Sequence, residues 1–112
     1  MAKVKFTLLI PVNYNDGTKI PDEERDAVFN DLYLLAGGYT SAGNVSGAFR
    51  MADGSKQLDQ TTPVWVVIEE EKASALKTLT RRICIRLKQE AIYLERTEAT
   101  VEFLRAEDSG GK

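Results

Sequence analysis

The sequence has 112 residues, of which 43% are hydrophobic and 29% charged, and its formal net charge at pH 7 is −2. Chains of this length form one domain, and this composition is typical of globular proteins rather than of disordered segments. The small negative charge offers no broad positive field for phosphate backbones or anionic lipid, so nucleic-acid binding is disfavoured. We predict a single domain at residues 1–107 and a polar tail at residues 108–112.

Histidine and cysteine, which carry much of enzyme chemistry, are scarce. Histidine is absent, which excludes Ser-His, Cys-His and zinc-protease schemes. Cys84 is the one cysteine, so the chain has no internal disulfide framework and no CxxC motif. We therefore predict no metal site and no cofactor. The lone cysteine fits a reducing compartment, and with no signal-like or membrane-spanning apolar run we expect a cytoplasmic protein.

The first third of the chain predicts a strand, a loop and a helix. Apolar residues alternate over residues 4–12, which indicates a strand with one buried face. Residues 13–18 have turn chemistry. Pro21 and the acidic residues 22–24 begin a helix, because proline suits the first turn and carboxylates complement the helix dipole. Gly37 ends this helix. Its predicted apolar face consists of Val28, Phe29, Leu32, Leu35 and Ala36.

The remaining chain predicts two or more strands around a second helix. Residues 39–51 are expected to be a loop leading into a second strand, and Asp53-Gly54 is a hairpin turn signal. Residues 64–68 form a β-branched, aromatic third strand, whereas residues 57–62 are ambiguous between hairpin arm and loop. The second helix is expected from about Lys72 to Glu90. Residues 92–94 and 101–104 supply one or two closing strands. The second helix's predicted apolar face consists of Ala73, Leu76, Thr80, Ile83, Cys84 and Leu87.

This order of elements predicts an α+β fold of the ferredoxin-like, split βαβ type (βαββαβ). Two helices would cover one face of an antiparallel sheet, with an extra C-terminal strand as an option. Right-handed crossovers would place the first and third strands at the sheet centre.

The second face of such a sheet has no helix to cover it. If the even-numbered residues of the first strand point to the helices, Thr7 and Leu9 point away. In the third strand either Trp65 and Val67 or the set Val64, Val66 and Ile68 points to this same uncovered face. Exposed apolar surface of this kind usually marks a partner surface, and symmetric homo-oligomers are the commonest partners. We predict a homo-oligomer interface at Thr7, Leu9, Trp65 and Val67; the alternative is that the C-terminal strand and the 13–18 loop cover this face.

Several polar residues are candidates for a ligand site. The glycine-rich residues 37–43 follow a helix rather than precede one, so a phosphate-binding P-loop is disfavoured and a helix cap with a turn is favoured. The functional alternative is that Tyr39, Thr40 and Arg50 line a pocket for a small polar or anionic ligand. The acidic residues 69–71 suit the N-terminal end of the second helix better than a metal site. Basic residues on that helix fit a solvated face better than an RNA surface.

A set of motifs completes the candidate site. They are a GGYT loop at residues 37–40, an aromatic residue before an Asp-Gly hairpin at residues 49–54, and a Gln-Glu-aliphatic segment at residues 89–94. In these motifs, over about residues 10–95, the chain resembles a group of small uncharacterised bacterial and phage-associated proteins. The resemblance implies the same fold and no particular activity; Phe49 stands where that group often has tryptophan. It nominates Tyr39, Thr40, Asp53, Gln89 and Glu90.

Three function classes follow from these residues, of which the third, an RNA-binding or regulatory subunit, would need the basic residues of the second helix to extend across a dimer interface. The leading hypothesis is a non-catalytic, homo-oligomeric module that binds a small ligand or a protein. In its sharper form the module sequesters a signalling molecule or nucleotide, as a phage anti-defence protein would. The alternative is a small enzyme of the dimeric α+β barrel type, in which Tyr39 with Asp53 or Glu90 serves as acid and base.

Overall fold

A computed structural model describes residues 2–108, and its core is one antiparallel sheet with two helices packed on it. The elements in chain order are β1 (Lys3–Pro11), α1 (Asp22–Ala36), β2 (Thr40–Ser41), β3 (Val45–Arg50), β4 (Lys56–Glu69), α2 (Ala73–Arg86) and β5 (Leu94–Ala99). The strand order is β2-β4-β1-β5, and β3 pairs with β4 beyond β2. The predicted ferredoxin-like α+β fold is confirmed, with β1 and β4 at the centre. Residues 109–112 of the predicted tail lie outside the described residues.

The hydrophobic core lies between the sheet and the helices, where the alternation of β1 predicts it. In β4 the residues that enter this core are Val64, Val66 and Ile68, so Trp65 and Val67 face the other way. This settles the register that the sequence left open. Each large apolar side chain fully buried here contributes about 1.5–3 kcal/mol. The largest fully buried side chains are Phe6, Leu8, Ile10, Ile20, Leu32, Leu76, Ile83 and Leu87.

Both helices begin where the sequence predicts, but α2 ends earlier. Gly37 caps α1 in the left-handed conformation (φ 81°), and its N–H donates to the carbonyl of Tyr33 at 2.8 Å. The second helix ends at Arg86 rather than near Glu90, because Lys88 adopts a left-handed backbone (φ 56°). Leu79 joins the buried face of α2, whereas Cys84 is only partly buried. Residues 87–93 are therefore irregular and available to a site.

The ambiguous residues 57–62 belong to β4, which is 14 residues long. Its N-terminal half pairs with β3, from Val45 opposite Thr61 to Arg50 opposite Lys56. Because β1 ends at Pro11, opposite Thr61, this half projects past the centre of the sheet as a two-stranded hairpin. The molecule is accordingly elongated, with extents of 60 × 25 × 24 Å.

The closing strand differs from its predicted position. The sequence placed it at residues 92–94, with 101–104 as a further option, whereas β5 covers Leu94–Ala99 and residues 101–104 form no strand. The reason is that β5 pairs only with β1 and four of its six residues are exposed, so it lacks the apolar alternation of a buried strand. Neither helix within residues 2–108 has the length and apolarity needed to cross a bilayer.

Candidate functional site: the hairpin groove

A groove of about 640 Å³ lies between the β3–β4 hairpin, the 13–17 loop and residues 89–93. We call it the hairpin groove. Its floor includes Leu9 and Pro11 at the end of β1. Leu9 also belongs to the sheet face that turns away from the helices, so the groove and that face are continuous. The groove's volume is typical of small-molecule sites.

One wall of the groove comes from the projecting hairpin. Phe49 on β3 lies opposite Gln57 on β4, and Gly47 lies opposite Asp59. Cross-strand partners share a face, so Phe49, Gln57 and Asp59 point to the same side of the hairpin. Counting along β4, this is the side of Trp65 rather than that of the buried Val64. The hairpin therefore presents an aromatic ring, an amide and a carboxylate to the groove.

The opposite wall follows α2 and is fixed by its unusual end. The backbone N–H of Gln89 donates to the carbonyl of Cys84 at 2.8 Å, and the Gln89 side chain donates to the carbonyl of Leu87 at 3.0 Å. Lys88 places its ammonium 5.4 Å from the centre of the Tyr14 ring, which ties the 13–17 loop to this wall. Glu90 follows on the lip of the groove and is exposed.

The groove is acidic. Asp59 and Glu90 both line it, and its lining contains neither Lys nor Arg among residues 2–108. Tyr93, also in the lining, donates its hydroxyl to the Glu95 carboxylate at 3.2 Å, and this bond together with the negative charge raises the pKa of Tyr93. Tyr93 is therefore a hydrogen-bonding aromatic residue at neutral pH. The groove suits an uncharged or cationic ligand better than a phosphate.

Four of the five ligand-site residues predicted from the sequence lie outside this groove. Thr40 pairs with Trp65 near the middle of β4, and the ring of Tyr39 lies 5.4 Å from that of Phe29. Arg50 and Asp53, by contrast, lie at the hairpin tip. Nine residues of β4 separate the partners of Thr40 and Arg50, which is about 30 Å along a strand. The predicted set therefore forms no single pocket, and Glu90 is the member that lines the groove.

Asp53 stabilises the hairpin turn. Its carboxylate accepts hydrogen bonds from the Ser55 N–H at 2.9 Å and the Ser55 hydroxyl at 2.6 Å, and Gly54 between them has φ 86°. These bonds lower the pKa of Asp53, which is fully exposed. An acid or base for catalysis near neutral pH needs a raised carboxyl pKa. The geometry thus supports a structural role for Asp53 in stabilising the turn.

The predicted interface residues share the sheet face opposite the helices. Thr7, Leu9, Trp65 and Val67 are all half-buried there, and the Lys5 ammonium lies 5.2 Å from the centre of the Trp65 ring. The alternative, a C-terminal strand folded over this face, does not occur in residues 2–108. We call this surface the open face.

Sequence reasoning missed most of the groove residues. Gln57 and Asp59 were in the segment left ambiguous between strand and loop, and Tyr93 was assigned to a closing strand. A signal was available: Gln57, Asp59 and Thr61 continue the odd-numbered alternation of Trp65 and Val67. Within residues 2–108 no group of three or more Cys, Asp or Glu is arranged to hold a metal ion.

Neither a family model nor a curated protein matches the chain, but solved structures do. A phage SAM lyase in complex with S-methyl-5′-thioadenosine is similar with a TM-score of 0.65 at 12% identity, covering 86% of this chain and 81% of that chain. A DUF3240 family protein from Shewanella baltica has a TM-score of 0.65 at 12% identity, covering 95% and 99%. CutA from Xylella fastidiosa has a TM-score of 0.63 at 12% identity, covering 90% and 86%. At these identities the similarity establishes the shared fold.

Proposed function

We propose that this chain is a homo-oligomeric binding module that assembles through its open face and holds a small nucleoside-like molecule in the hairpin groove. The observation that carries the proposal is the groove itself. It combines aromatic, amide and carboxylate side chains within about 640 Å³ and is continuous with the open face at Leu9. Ligand sites in proteins have this composition of apolar walls with a few polar groups.

The lining selects for a class of ligand. Phe49 and Tyr93 offer ring surfaces on which a base can stack, and Gln57 offers an amide for its edge. The carboxylates of Asp59 and Glu90 can accept hydrogen bonds from ribose hydroxyls or attract a cationic centre. Phosphates would be repelled by the same carboxylates. A nucleoside or a sulfonium nucleoside therefore fits better than the nucleotide or anionic ligand suggested by the sequence.

Assembly through the open face follows from its apolar residues. Trp65 and Val67 lie two residues apart on β4, and Leu9 lies on β1 opposite Pro63, diagonal to Trp65; no helix covers them within residues 2–108. A small protein gains by burying such a surface against a second copy of itself. Thr7, opposite Trp65 in the register, would lie at the centre of this contact.

A module of this kind acts by sequestration. One ligand bound per groove lowers the free concentration of a signalling nucleoside without consuming it. This role would suit a phage anti-defence protein. The structural similarity to a phage SAM lyase bound to S-methyl-5′-thioadenosine supports testing adenosine derivatives first.

Calorimetric titration of the purified protein tests the ligand site. We expect S-methyl-5′-thioadenosine or S-adenosylmethionine to bind and ATP to bind at least about tenfold more weakly, which corresponds to about 1.4 kcal/mol. Glu90→Gln and Asp59→Asn should weaken binding. Glu71→Gln, which removes the same charge from an exposed position outside the groove, is the matched control. Binding that is absent for the whole panel, or unchanged in both groove variants, would refute the site.

Light scattering coupled to size exclusion tests the assembly. Trp65→Lys places a charge on the open face and should yield a monomer. Leu34→Lys places the same charge on an exposed position of α1 and should leave the assembly intact. A wild-type protein that stays monomeric at high concentration would remove the assembly from the proposal.

A second candidate function is catalysis in the same groove, as an enzyme of the α+β barrel type. The observation that favours it is the position of Glu90, one of the predicted acid or base residues, on the groove lip next to polar groups. Mass spectrometry of the ligand after incubation separates the two functions. A binding module returns the ligand unchanged, whereas an enzyme converts many equivalents and loses this activity in Glu90→Gln.

A further inference from the structure

The chain leaves the sheet after β5 as an exposed apolar segment. Residues 100–105 follow Ala99 without regular structure, and a 3-10 turn covers Ala106–Asp108. We call residues 100–107 the arm. Phe103 is 78% exposed and Leu104 is 85% exposed, which makes them two of the most exposed large apolar side chains in the described chain. Exposed apolar residues that are adjacent in an extended segment indicate a partner surface.

The arm starts at the opposite end of the sheet from its own groove. Along β1, Leu94 lies opposite Leu8 and Ala99 lies opposite Lys3, so β5 runs away from the groove. The groove begins at Leu9. Six residues of strand separate Lys3 from Leu9, or about 20 Å. Because the arm begins at this far end of the sheet, we take its acceptor to be the groove of another copy of the chain.

The groove offers the arm a complementary surface. Phe49 in β3 and Met51 just after it are both exposed, and both line the groove. Such a surface accepts apolar side chains. The carboxylate of Asp59 lies on the same side of the hairpin, two residues along β4 from Gln57, the partner of Phe49. In the arm, Arg105 directly follows the apolar pair, so the arm, like the groove, places a charged group beside apolar ones, and the two charges are opposite in sign.

We propose that the arm of one copy lies over the hairpin groove of a neighbouring copy. Phe103 and Leu104 contact Phe49 and Met51 on the groove side of the hairpin, and Arg105 pairs with Asp59 or Glu90. This inference rests on the proposed function and deepens it, because the partner's arm closes the open side of the groove over the ligand. Every copy donates one arm and accepts one, which a closed ring or a reciprocal dimer satisfies.

Disulfide trapping between two differently tagged chains tests this contact. In a Cys84→Ser background, one chain carries Phe103→Cys and the co-expressed chain carries Met51→Cys. Since a disulfide needs Cα atoms within about 7 Å, we expect the mixed pair to cross-link at least about tenfold more than a control pair. In the control pair Leu34→Cys, on the exposed side of α1, replaces Met51→Cys.

A second variant keeps the test independent of cysteine chemistry. Phe103→Ser with Leu104→Ser should weaken ligand binding and lower the oligomer mass, because the arm no longer buries apolar surface. Cross-linking no greater than in the control pair, or a double variant with unchanged oligomer mass and ligand affinity, would overturn the arm contact. If the arm cross-links but no nucleoside binds, the arm contact stands and the proposed ligand function fails. If nucleosides bind but the arm does not cross-link, the proposed ligand function stands and the arm contact fails.

Discussion

Replacing Thr62 with valine should loosen the base of the hairpin that builds the groove. Thr62, 8% exposed on β4, accepts a hydrogen bond from the Arg25 guanidinium and donates one to the Asn44 side-chain oxygen. These two bonds connect α1, β4 and the bend between β2 and β3. The Arg25 Nε is already buried without a partner among the described residues, so the substitution leaves a second donor of this cation unsatisfied.

The expected loss of stability can be worked out from these contacts. A hydrogen bond to a charged group contributes about 1.5–3 kcal/mol, and a neutral one about 1 kcal/mol. Asn44 is exposed, so in the variant its side-chain oxygen bonds to water instead and most of the free energy of the neutral hydrogen bond is recovered. Valine keeps the shape of threonine. The free energy of unfolding should therefore fall by about 2–3 kcal/mol, which lowers Tm by about 10 °C in a domain of this size.

Urea denaturation followed by circular dichroism measures this loss. Thr61→Val is the matched control, since Thr61 is the adjacent half-buried threonine whose side chain points to the other side of β4. We expect the control to change stability by at most about 0.5 kcal/mol. Hydrogen exchange at residues 42–50 should rise in Thr62→Val alone. Equal losses in the two variants would refute the view that this polar cluster anchors the hairpin.

Three further predictions address the turn, the end of α2 and the core. Ser55→Ala should raise the pKa of Asp53 toward its ordinary value, as measured by NMR titration. In the wild type the pKa of Asp53 is lower in the folded state than in the unfolded state. The stabilisation by this turn is therefore complete above the unfolded-state pKa and is lost as the pH falls through the folded-state pKa. Lys88→Gly should be about 1 kcal/mol more stable in urea than Lys88→Ala, since only glycine adopts φ 56° freely. Equal free energies of unfolding for the two variants would contradict the inference that the backbone is strained at this position. Leu76→Ala, fully buried, should cost about 2–5 kcal/mol in the same assay, whereas Leu34→Ala, 70% exposed, should cost less than about 0.5 kcal/mol.

The parts of the fold that could be predicted are those in which local chemistry and burial agree. The even-numbered residues of β1 are buried as their alternation predicts, and Pro21 and Gly37 bound α1 through backbone restrictions that operate in any context. The strand order followed from the handedness of crossovers. Each of these depends on residues close together in sequence or on a rule of chain geometry.

Of the candidate ligand residues, only Gln89 and Glu90 lie in the groove, because the groove depends on the lengths and end points of its elements. The projecting half of β4 has polar residues at alternate positions, so it resembles a loop as much as a strand. The end of α2 is set by the left-handed Lys88, a residue type that carries no such signal. Tyr39 and Arg50 belong to adjacent motifs in sequence, yet the hairpin carries them about 30 Å apart.

The difference in length between the two central strands connects the fold to the proposed function. Because β4 has 14 residues and β1 has nine, the β3–β4 hairpin continues past its neighbour and forms one wall of a groove whose floor is the end of β1. Two strands alone gain little stability in water and need a further surface to pack against. Within residues 2–108 a hydrogen bond from α1 to β4 joins Arg25 to Thr62, where the overhang begins, and no residue of either helix lines the groove. A second copy of the chain would therefore stabilise the hairpin and enclose the groove with the same contact.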